Sequence, residues 1–390
     1  MTPRILIIAG SDSGGGAGIQ ADIRTVTMLG GHPMTAITAL TAQNTLGVAD
    51  IMTVPVDFVR AQIDAVAGDI GVDAIKIGMI GSAPIAEMLI DWLISLAGRI
   101  PVVFDPVMVA TSGAGLADKD TLERFTRLMA LATVVTPNLP ELEVLTGERI
   151  VGSYALAKAA RKLAREVDCA VLAKGAHDAG ETVTDLLAAP GGGLTTYEGA
   201  RIDTRHSHGT GCTLASAIAV GLAEGMVLPD AVGRARTFVR IALKEAPGLG
   251  GGHGPMGHHK VRIDCAGGAR PNQLTLPATD FAASETFYQA LGLNQIVRSE
   301  PRYARFEAAD GNTLSIEAAD EIGGRPVIYF ECSDLDGAIA ALGKAGFTID
   351  RLADDEDWGW REAHVTDPGG NAVRLYQAGE NRRFPAWRLV

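Results

Sequence analysis

The sequence predicts an α/β protein: a mostly parallel sheet covered by helices on both faces, then a smaller α+β unit made from a duplicated module. Three observations predict this. Between residues 1 and about 245, short unbroken apolar runs alternate with longer helical patterns, the mark of parallel strands buried on both faces. Near the end of that region, His208-Gly209-Thr210-Gly211-Cys212-Thr213 opens directly into a small-residue apolar helix pattern. The last stretch, of about 120 residues, repeats itself at an interval of 54, and such repetition signals a structural unit used twice.

The apolar runs come in order as Ile5 to Ala9, Ala74 to Gly78, Val102 to Asp105, Val134 to Thr136 and Ala170 to Ala173. Polar residues follow several of them: Ser11 and Asp12, then Asp105, Asn138 and Lys174. In open α/β sheets the ligand crevice lies beyond the carboxyl ends of the strands, so one rule gathers these scattered residues at one place. From 248 to 271 the chain is rich in glycine, which reads as a domain boundary, with residues 261–271 as the linker. His253, His258 and His259 lie there and read as an exposed tail rather than a metal site. In the repeat, Asp280-Phe281 matches Asp334-Leu335 and Gly292-Leu293 matches Gly346-Phe347. Gly311-Asn312 and Gly370-Asn371 read as turns between the later strands of each module. The modules span about 272–320 and 325–378, within a second domain of 272–390 that follows a first domain of 1–260.

Composition narrows the function. The formal net charge of −12 offers no basic stripe for nucleic-acid phosphates. An anionic substrate therefore needs a local positive site. The apolar run at Ile5 to Ala9 is too short for a signal sequence or membrane span and reads as a first buried strand, with no membrane partner expected. Cys169, Cys212, Cys265 and Cys332 are widely spaced, with no C-x-x-C pair, so neither a zinc site nor a disulfide framework is expected, and a reducing cytoplasm is the simplest compartment.

The stretch at 208–213 supplies that local positive site. Gly209 and Gly211 let the backbone turn tightly and approach a ligand. The first N–H groups of a helix lack internal partners and carry the positive end of its dipole, which makes an anion hole for a phosphoryl group. Cys212 is expected at its rim, where a thiol ionises more easily. A long glycine-rich loop, Gly10 to Asp22, follows the first strand. It has neither the phosphate-loop nor the dinucleotide spacing and is expected to close over a small substrate. Asp105, Asn138 and Glu141 bear oxygens suited to Mg²⁺ or its waters, and Lys174 is placed to neutralise phosphate.

Taken in order, Ala9 to Asp22, Thr38 to Thr45, Lys76 to Met79, Asp105 to Met108, Thr136 to Glu141 and His208 to Thr213 resemble the hydroxymethylpyrimidine/phosphomethylpyrimidine kinases, within the ribokinase-like superfamily. Gly254-Pro255 with His258-His259 resembles that family's C-terminal signature. The resemblance implies a three-layer α/β/α fold and transfer of the ATP γ-phosphoryl to 4-amino-5-hydroxymethyl-2-methylpyrimidine and then to its monophosphate, in thiamine biosynthesis. It implies ATP and Mg²⁺, with room for a monovalent cation such as K⁺, and a homodimer. It assigns Gln43 to the pyrimidine edge, with Gly10, Asp22, Met79 and Val107 completing the substrate pocket. It places Asp105, Asn138, Glu141, Lys174 and Gly211 at the nucleotide and metal. Gly209, Thr210, Gly211, Lys174 and Cys212 are assigned to catalysis, Cys212 as the base. A pyridoxal-type kinase of the same superfamily and a non-catalytic pyrimidine-binding regulator are the alternative readings.

The second domain resembles the vicinal oxygen chelate family, through Phe287 to Leu293 and Asp367 to Asn371, which implies paired βαβββ modules. Metal ligands in that family lie on the first and last strand of each module. The matching positions read Gln273, Ser315 or Glu317, Val327 and Arg374. Val327 has no donor atom and Arg374 is a cation, so a metal-free binding or assembly module is expected. Trp358, Trp360 and Tyr329 are expected to line a groove for a flat ligand.

Overall fold

The computed structural model describes residues 2–108, 119–175, 180–261, most of 270–378, and Trp387. The chain divides into two compact units, Met1–Ile263 and Asp264–Val390. The expected turns at Gly311 and at Gly370-Asn371, and linker residues 262–269, lie outside the described residues. The other linker positions are structured. Val261 is buried against Phe238 and Met256 of the first unit, and the backbone at Arg270 already pairs in a strand.

The first unit runs β1 (Arg4–Asp12), α1 (Gly18–Met28), β2 (His32–Asn44), β3 (Gly47–Thr53), α2 (Val56–Asp69), β4 (Ala74–Ile77), α3 (Ala83–Ser95), β5 (Val102–Phe104), α4 (Lys119–Met129), β6 (Val134–Val135), α5 (Leu139–Thr146), α6 (Gly152–Glu166), β7 (Ala170–Ala173), β8 (Thr182–Ala188), β9 (Leu194–Ala200), α7 (Thr210–Ala223) and α8 (Leu228–Lys244). Its sheet has the order β3-β2-β1-β4-β5-β6-β7-β8-β9. The strands from β2 to β7 pair in parallel, and antiparallel β3 and β8–β9 complete the two ends.

Alternation along each strand divides the core into two. Leu6, Ile8, Ile75, Ile77 and Phe104 face α2 to α6. Ile5, Ile7, Ala74 and Val103 face α1, α7 and α8. Helix α7 is buried along its whole middle, from Thr213 to Gly221. That suits a helix apolar on every side, and it fixes the position of the helix's exposed N-terminal end. Among the described residues no helix is long and apolar enough to cross a membrane.

The second unit repeats one pattern: β10 (Arg270–Ala278), α9 (Phe281–Ala290), β11 (Asn294–Ser299), β12 (Tyr303–Glu307), β13 (Thr313–Ala318), then β14 (Val327–Glu331), α10 (Leu335–Lys344), β15 (Ile349–Asp355), β16 (Arg361–Thr366) and β17 (Ala372–Gln377). The sheet order, β11-β12-β13-β10-β14-β17-β16-β15, is the same four-strand set laid out twice in mirrored order about the β10–β14 seam. The repeated residues are the helix punctuation. Asp280 and Asp334 each accept a backbone N–H of the first helical turn, from Ala283 at 3.0 Å and Gly337 at 2.9 Å. Gly292 and Gly346 end the helices at φ of 87° and 88°, the left-handed conformation in which a side chain is strained.

Candidate active site

The parallel strands deliver their C-terminal residues to one cavity of about 690 Å³ in the first unit, within the range of small-ligand sites. Gly10, Gln43, Met79 and Val107 line it, as do Asp105, Asn138, Glu141, Lys174 and the tip of α7 from Gly209 to Cys212. Val183, Ile202, Val239, Arg240 and Leu243 also line it. They are ordinary apolar and basic residues of strands, loops and a helix, and no motif in the sequence singled them out.

The tip of α7 has no side-chain cap; the Thr210 N–H donates to the Ser207 carbonyl at 3.4 Å, and the amides of Gly211 and Cys212 remain for a ligand. Gly209 is the N-cap at φ 86°, and a Cβ there would strike the carbonyl of Gly16 in the glycine loop. At Gly211 a Cβ would crowd the Asp105 carboxylate and Lys174 Nζ, each at 3.1 Å. Both glycines are therefore set by packing as well as by approach to a ligand.

Lys174 Nζ lies 2.9 Å from Asp105 Oδ1, and Thr136 donates to the same oxygen at 2.9 Å. Burial works against the lysine's charge, but Asp105 and Glu141 outweigh it and hold its pKa above the ordinary value. Asn138 and Glu141 form a capping box at the start of α5. The Asn138 N–H donates to Glu141 Oε2 at 2.8 Å, and the Glu141 N–H donates to Asn138 Oδ1 at 2.9 Å. The Asn138 oxygen expected at the metal is thus engaged as a helix cap. Burial, together with the charge of Asp105, pushes the Glu141 carboxyl up to about 7 despite the opposing pull of Lys174.

Two close, buried carboxylates beside one lysine suit a divalent cation, whose charge relieves their repulsion. Asp105 and Glu141 fit that task, and Asn138 orients Glu141.

Two expectations need correction. Asp22 does not line the cavity. It is fully buried, its carboxylate bonded to Lys76 at 2.8 Å and Ser216 at 2.7 Å. Lys76 keeps its charge there because the carboxylates of Asp22 and Asp105 outweigh its burial. Cys212 is at the helix tip, but its thiol is pushed up to about 11. Burial is the main cause, and Asp22 and Asp105 add to it against the pull of Lys76. The helix terminus alone argues for easy ionisation; depth and nearby carboxylates reverse it.

The histidine-bearing segment also differs from an exposed tail. His258 is 1% exposed, and its Nε2 lies 2.8 Å from Thr213 Oγ1 in the first turn of α7. Burial lowers its pKa to about 4, so it is neutral. The His208 N–H donates to the Gly254 carbonyl, so this segment braces the helix tip. The sequence reading also gave no role to Asp12 or His208. Asp12 collects the amides of Gly14, Gly16 and Ala17 at 2.8–2.9 Å, and His208 Nε2 at 3.1 Å. The glycine loop is thereby anchored to the α7 approach.

In the second unit, one face of the sheet packs on the helices through Phe306, Ile316, Val365 and Leu375. The other face is polar and aromatic. Trp360 stacks on Tyr376 at 4.4 Å, Tyr329 meets both edge-on, and Arg305 lies over Trp360 at 4.8 Å. Of the three expected groove residues, Tyr329 and Trp360 sit together on this face with Trp360 3% exposed, while Trp358 is 41% exposed and donates to Glu362 at 3.2 Å. Gln273 Oε1 accepts from Thr313 at 3.1 Å, Ser315 pairs with Tyr303 at 2.8 Å, and Glu317 is exposed. Among the described residues one three-member group has metal-ligand spacing, Glu356, Glu362 and His364. Its Glu356 is already paired with Arg351 at 2.7 Å.

The fold and the site define an α/β phosphotransferase, with an uncapped helix tip and a lysine at the wall of a small-molecule cavity. The phosphomethylpyrimidine kinase profile matches residues 12–257, and the chain belongs to that family. The profile of the glyoxalase/bleomycin resistance protein/dioxygenase superfamily matches residues 270–375. The hydroxymethylpyrimidine/phosphomethylpyrimidine kinase of Streptomyces coelicolor is 47% identical over 66% of this chain and 94% of its own length. That of Rhizobium meliloti is 46% identical over 66% and 97%. The match to the thiamine biosynthesis bifunctional protein ThiED of Geobacter sulfurreducens, 47% identical, spans about half (52%) of that protein, and the match to the multifunctional ThiED of Corynebacterium efficiens spans 35%. Among solved structures, the phosphomethylpyrimidine kinase of Clostridium difficile superposes with a TM-score of 0.54 at 35% identity, over 62% of this chain and 98% of that one. The pyridoxal kinase of Staphylococcus aureus in complex with ADP superposes with a TM-score of 0.61 at 30% identity, over 67% and 95%.

Proposed function

We propose that the first unit transfers the ATP γ-phosphoryl to the hydroxymethyl group of 4-amino-5-hydroxymethyl-2-methylpyrimidine, then to the resulting monophosphate, in thiamine biosynthesis. The observation that carries this is the uncapped tip of α7, with Lys174 and Cys212 beside it, on the same cavity as Gln43. Phosphoryl transfer asks the protein mainly for positioning and for neutralisation of charge. The amides of Gly209, Gly211 and Cys212 at the tip would hold the charge on the moving group, and each such donor is worth about 3–4 kcal/mol in acyl-transfer precedents. Lys174 balances phosphate oxygens at the same spot. Mg²⁺ held by Asp105 and Glu141 would supply further neutralisation between the phosphates. Gln43 offers a donor and an acceptor to the aminopyrimidine edge.

Cys212 is the group nearest the tip able to take the hydroxyl proton. Its thiol is protonated at neutral pH and accepts no proton in that form; only the minor thiolate, whose share grows as pH rises toward 11, takes the hydroxyl proton and becomes the thiol as the alcohol oxygen bonds to phosphorus. The second unit serves as a metal-free binding or assembly module. A cytoplasmic homodimer completes the reading, which sedimentation of the full chain tests. For the activity itself, the decisive assay is ATP consumption by the purified chain with the pyrimidine and with its monophosphate. Turnover of both supports the assignment, and turnover with pyridoxal alone overturns it.

A further inference from the structure

The residue just before the helix tip, His208, is left unused by the mechanism above. Its side chain is 10% exposed, on the cavity wall. Nε2 faces two groups at once, Asp12 Oδ2 at 3.1 Å and the Gln43 side-chain amide, whose Nε2 is placed toward the ring, at 2.9 Å. Asp12 is ionised. Burial raises its carboxyl, but His208 and the amides of Ala17 and Gly14 outweigh that and hold it below the ordinary value. A carboxylate only accepts, so the ring nitrogen facing it must carry the proton. That nitrogen then has no lone pair for an amide N–H. The Gln43 group beside it has to be the carbonyl oxygen, sharing the imidazole proton with Asp12.

The rest of the network agrees. With the amide turned by half a turn, its nitrogen takes the place of Oε1, 3.2 Å from Thr41 Oγ1, and the Thr41 hydroxyl donates to the Ser11 carbonyl at 3.0 Å. Each donor meets an acceptor. The reverse orientation sets N–H against N–H, or, with the other tautomer, a ring lone pair against a carboxylate. The Gln43 backbone is pinned in both directions by Ser13 Oγ, at 2.7 and 2.8 Å, so a half-turn of the terminal amide is the freedom that matters. Gly16 packs so closely on the imidazole that a Cβ there would overlap it, which holds the ring in place.

We propose that His208 is a positioning residue that locks the Gln43 amide in one orientation and thereby makes the site read an aminopyrimidine rather than its 4-oxo counterpart. The two edges present reversed donor–acceptor patterns. A locked amide matches one of them, and an amide free to turn matches both. This rests on the reading of Gln43 as the group that meets the pyrimidine.

The test compares kcat/KM for the aminopyrimidine with kcat/KM for the 5-hydroxymethyl-2-methyl-4-oxo analogue. The comparison is made in the parent, His208→Phe, Asp12→Asn and Gln43→Ala, with the KM for ATP measured beside it. Loss of the lock should cut the amino-over-oxo ratio roughly tenfold, the order expected when one hydrogen-bond pair stops discriminating, with the KM for ATP little changed. Asp12→Asn removes the carboxylate's demand for a proton and should move the ratio in the same direction, which covers a His208→Phe chain that fails to fold. If both histidine and aspartate variants lose activity equally on the two substrates, the proposal is overturned. If Gln43→Ala itself leaves the ratio unmoved, the assignment of Gln43 fails, and the lock with it.

Discussion

The two units use polar residues in opposite ways. In the first, strands β1 and β4 to β7 end together, and their last residues surround a cavity of about 690 Å³. There Lys174 shares a wall with the uncapped tip of α7. In the second, polar and aromatic residues spread over a sheet face and satisfy one another. Tyr303 bonds Ser315, Thr313 bonds Gln273, and Arg305 covers Trp360. A group held by its neighbours is stable but has little left for a ligand. The contrast teaches that a family's sheet is no guide to chemistry. What matters is whether donors remain pointed at empty space.

The largest effect should come from the tip of α7 and its lysine. Lys174→Met removes the cation beside the tip of α7 and leaves Asp105 buried with the Thr136 hydroxyl and the charge of Lys76. Turnover is expected to fall by about 10²-fold or more, and stability by roughly 3–5 kcal/mol, the cost of stranding a buried charge. Adding Asp105→Asn should restore most of the stability, measured by denaturant unfolding, but not the turnover. Recovery of both would mean that the lysine is only structural.

Next comes Cys212→Ala. It should lower turnover on the alcohol by about 10²-fold while the KM for ATP moves little. Phosphorylation of the monophosphate, whose acceptor needs no base, should suffer less. Equal turnover of mutant and parent would refute the base assignment. A smaller effect follows from the thiol pushed up to about 11. Its folded pKa lies above the ordinary value, so thiolate is scarce at neutral pH and grows as pH rises toward 11. Alkylation of Cys212, followed by mass spectrometry, should therefore be slower than for an ordinary cysteine at pH 8 and should accelerate steadily above it. Fast alkylation at neutral pH would restore the activated thiol that the helix terminus alone suggests.

The smallest effects belong to the second unit. Dialysed protein should carry no tightly held divalent ion there, since Val327 offers no donor and Glu356 is paired with Arg351. Elemental analysis finding one metal per chain that survives Asp105→Asn and disappears with Glu362→Gln would contradict this. Trp358→Ala, at a residue 41% exposed whose Nε1–H donates to the buried Glu362 at 3.2 Å, should lower stability by about 1 kcal/mol.

Much of this was legible in the chain because the parallel strands are continuous apolar runs and their ends carry the chemistry. The repeat was legible because it encodes helix caps, Asp280 and Asp334, and left-handed helix ends, Gly292 and Gly346. Strand β2 gave no apolar run, since Thr and Ala fill it, although it carries Gln43. Depth was the information missing elsewhere. Nothing local to Asp22 shows that Lys76 claims it, and nothing near Cys212 shows that burial reverses the effect of the helix terminus. The stretch around His258 looks like a tail because its contacts, with Thr213 and Ala242, are distant in sequence.

The central claim is that the tip of α7 holds the phosphoryl group in transfer. A crystal structure of the full chain with a non-hydrolysable ATP analogue and the pyrimidine tests it directly. The account predicts γ-phosphate oxygens within roughly 2.7–3.1 Å of backbone N–H groups among residues 209–212, with the pyrimidine hydroxyl in line on the other side and its ring edge on Gln43. A terminal phosphate bound many ångströms from that tip, with both ligands in place, would contradict it.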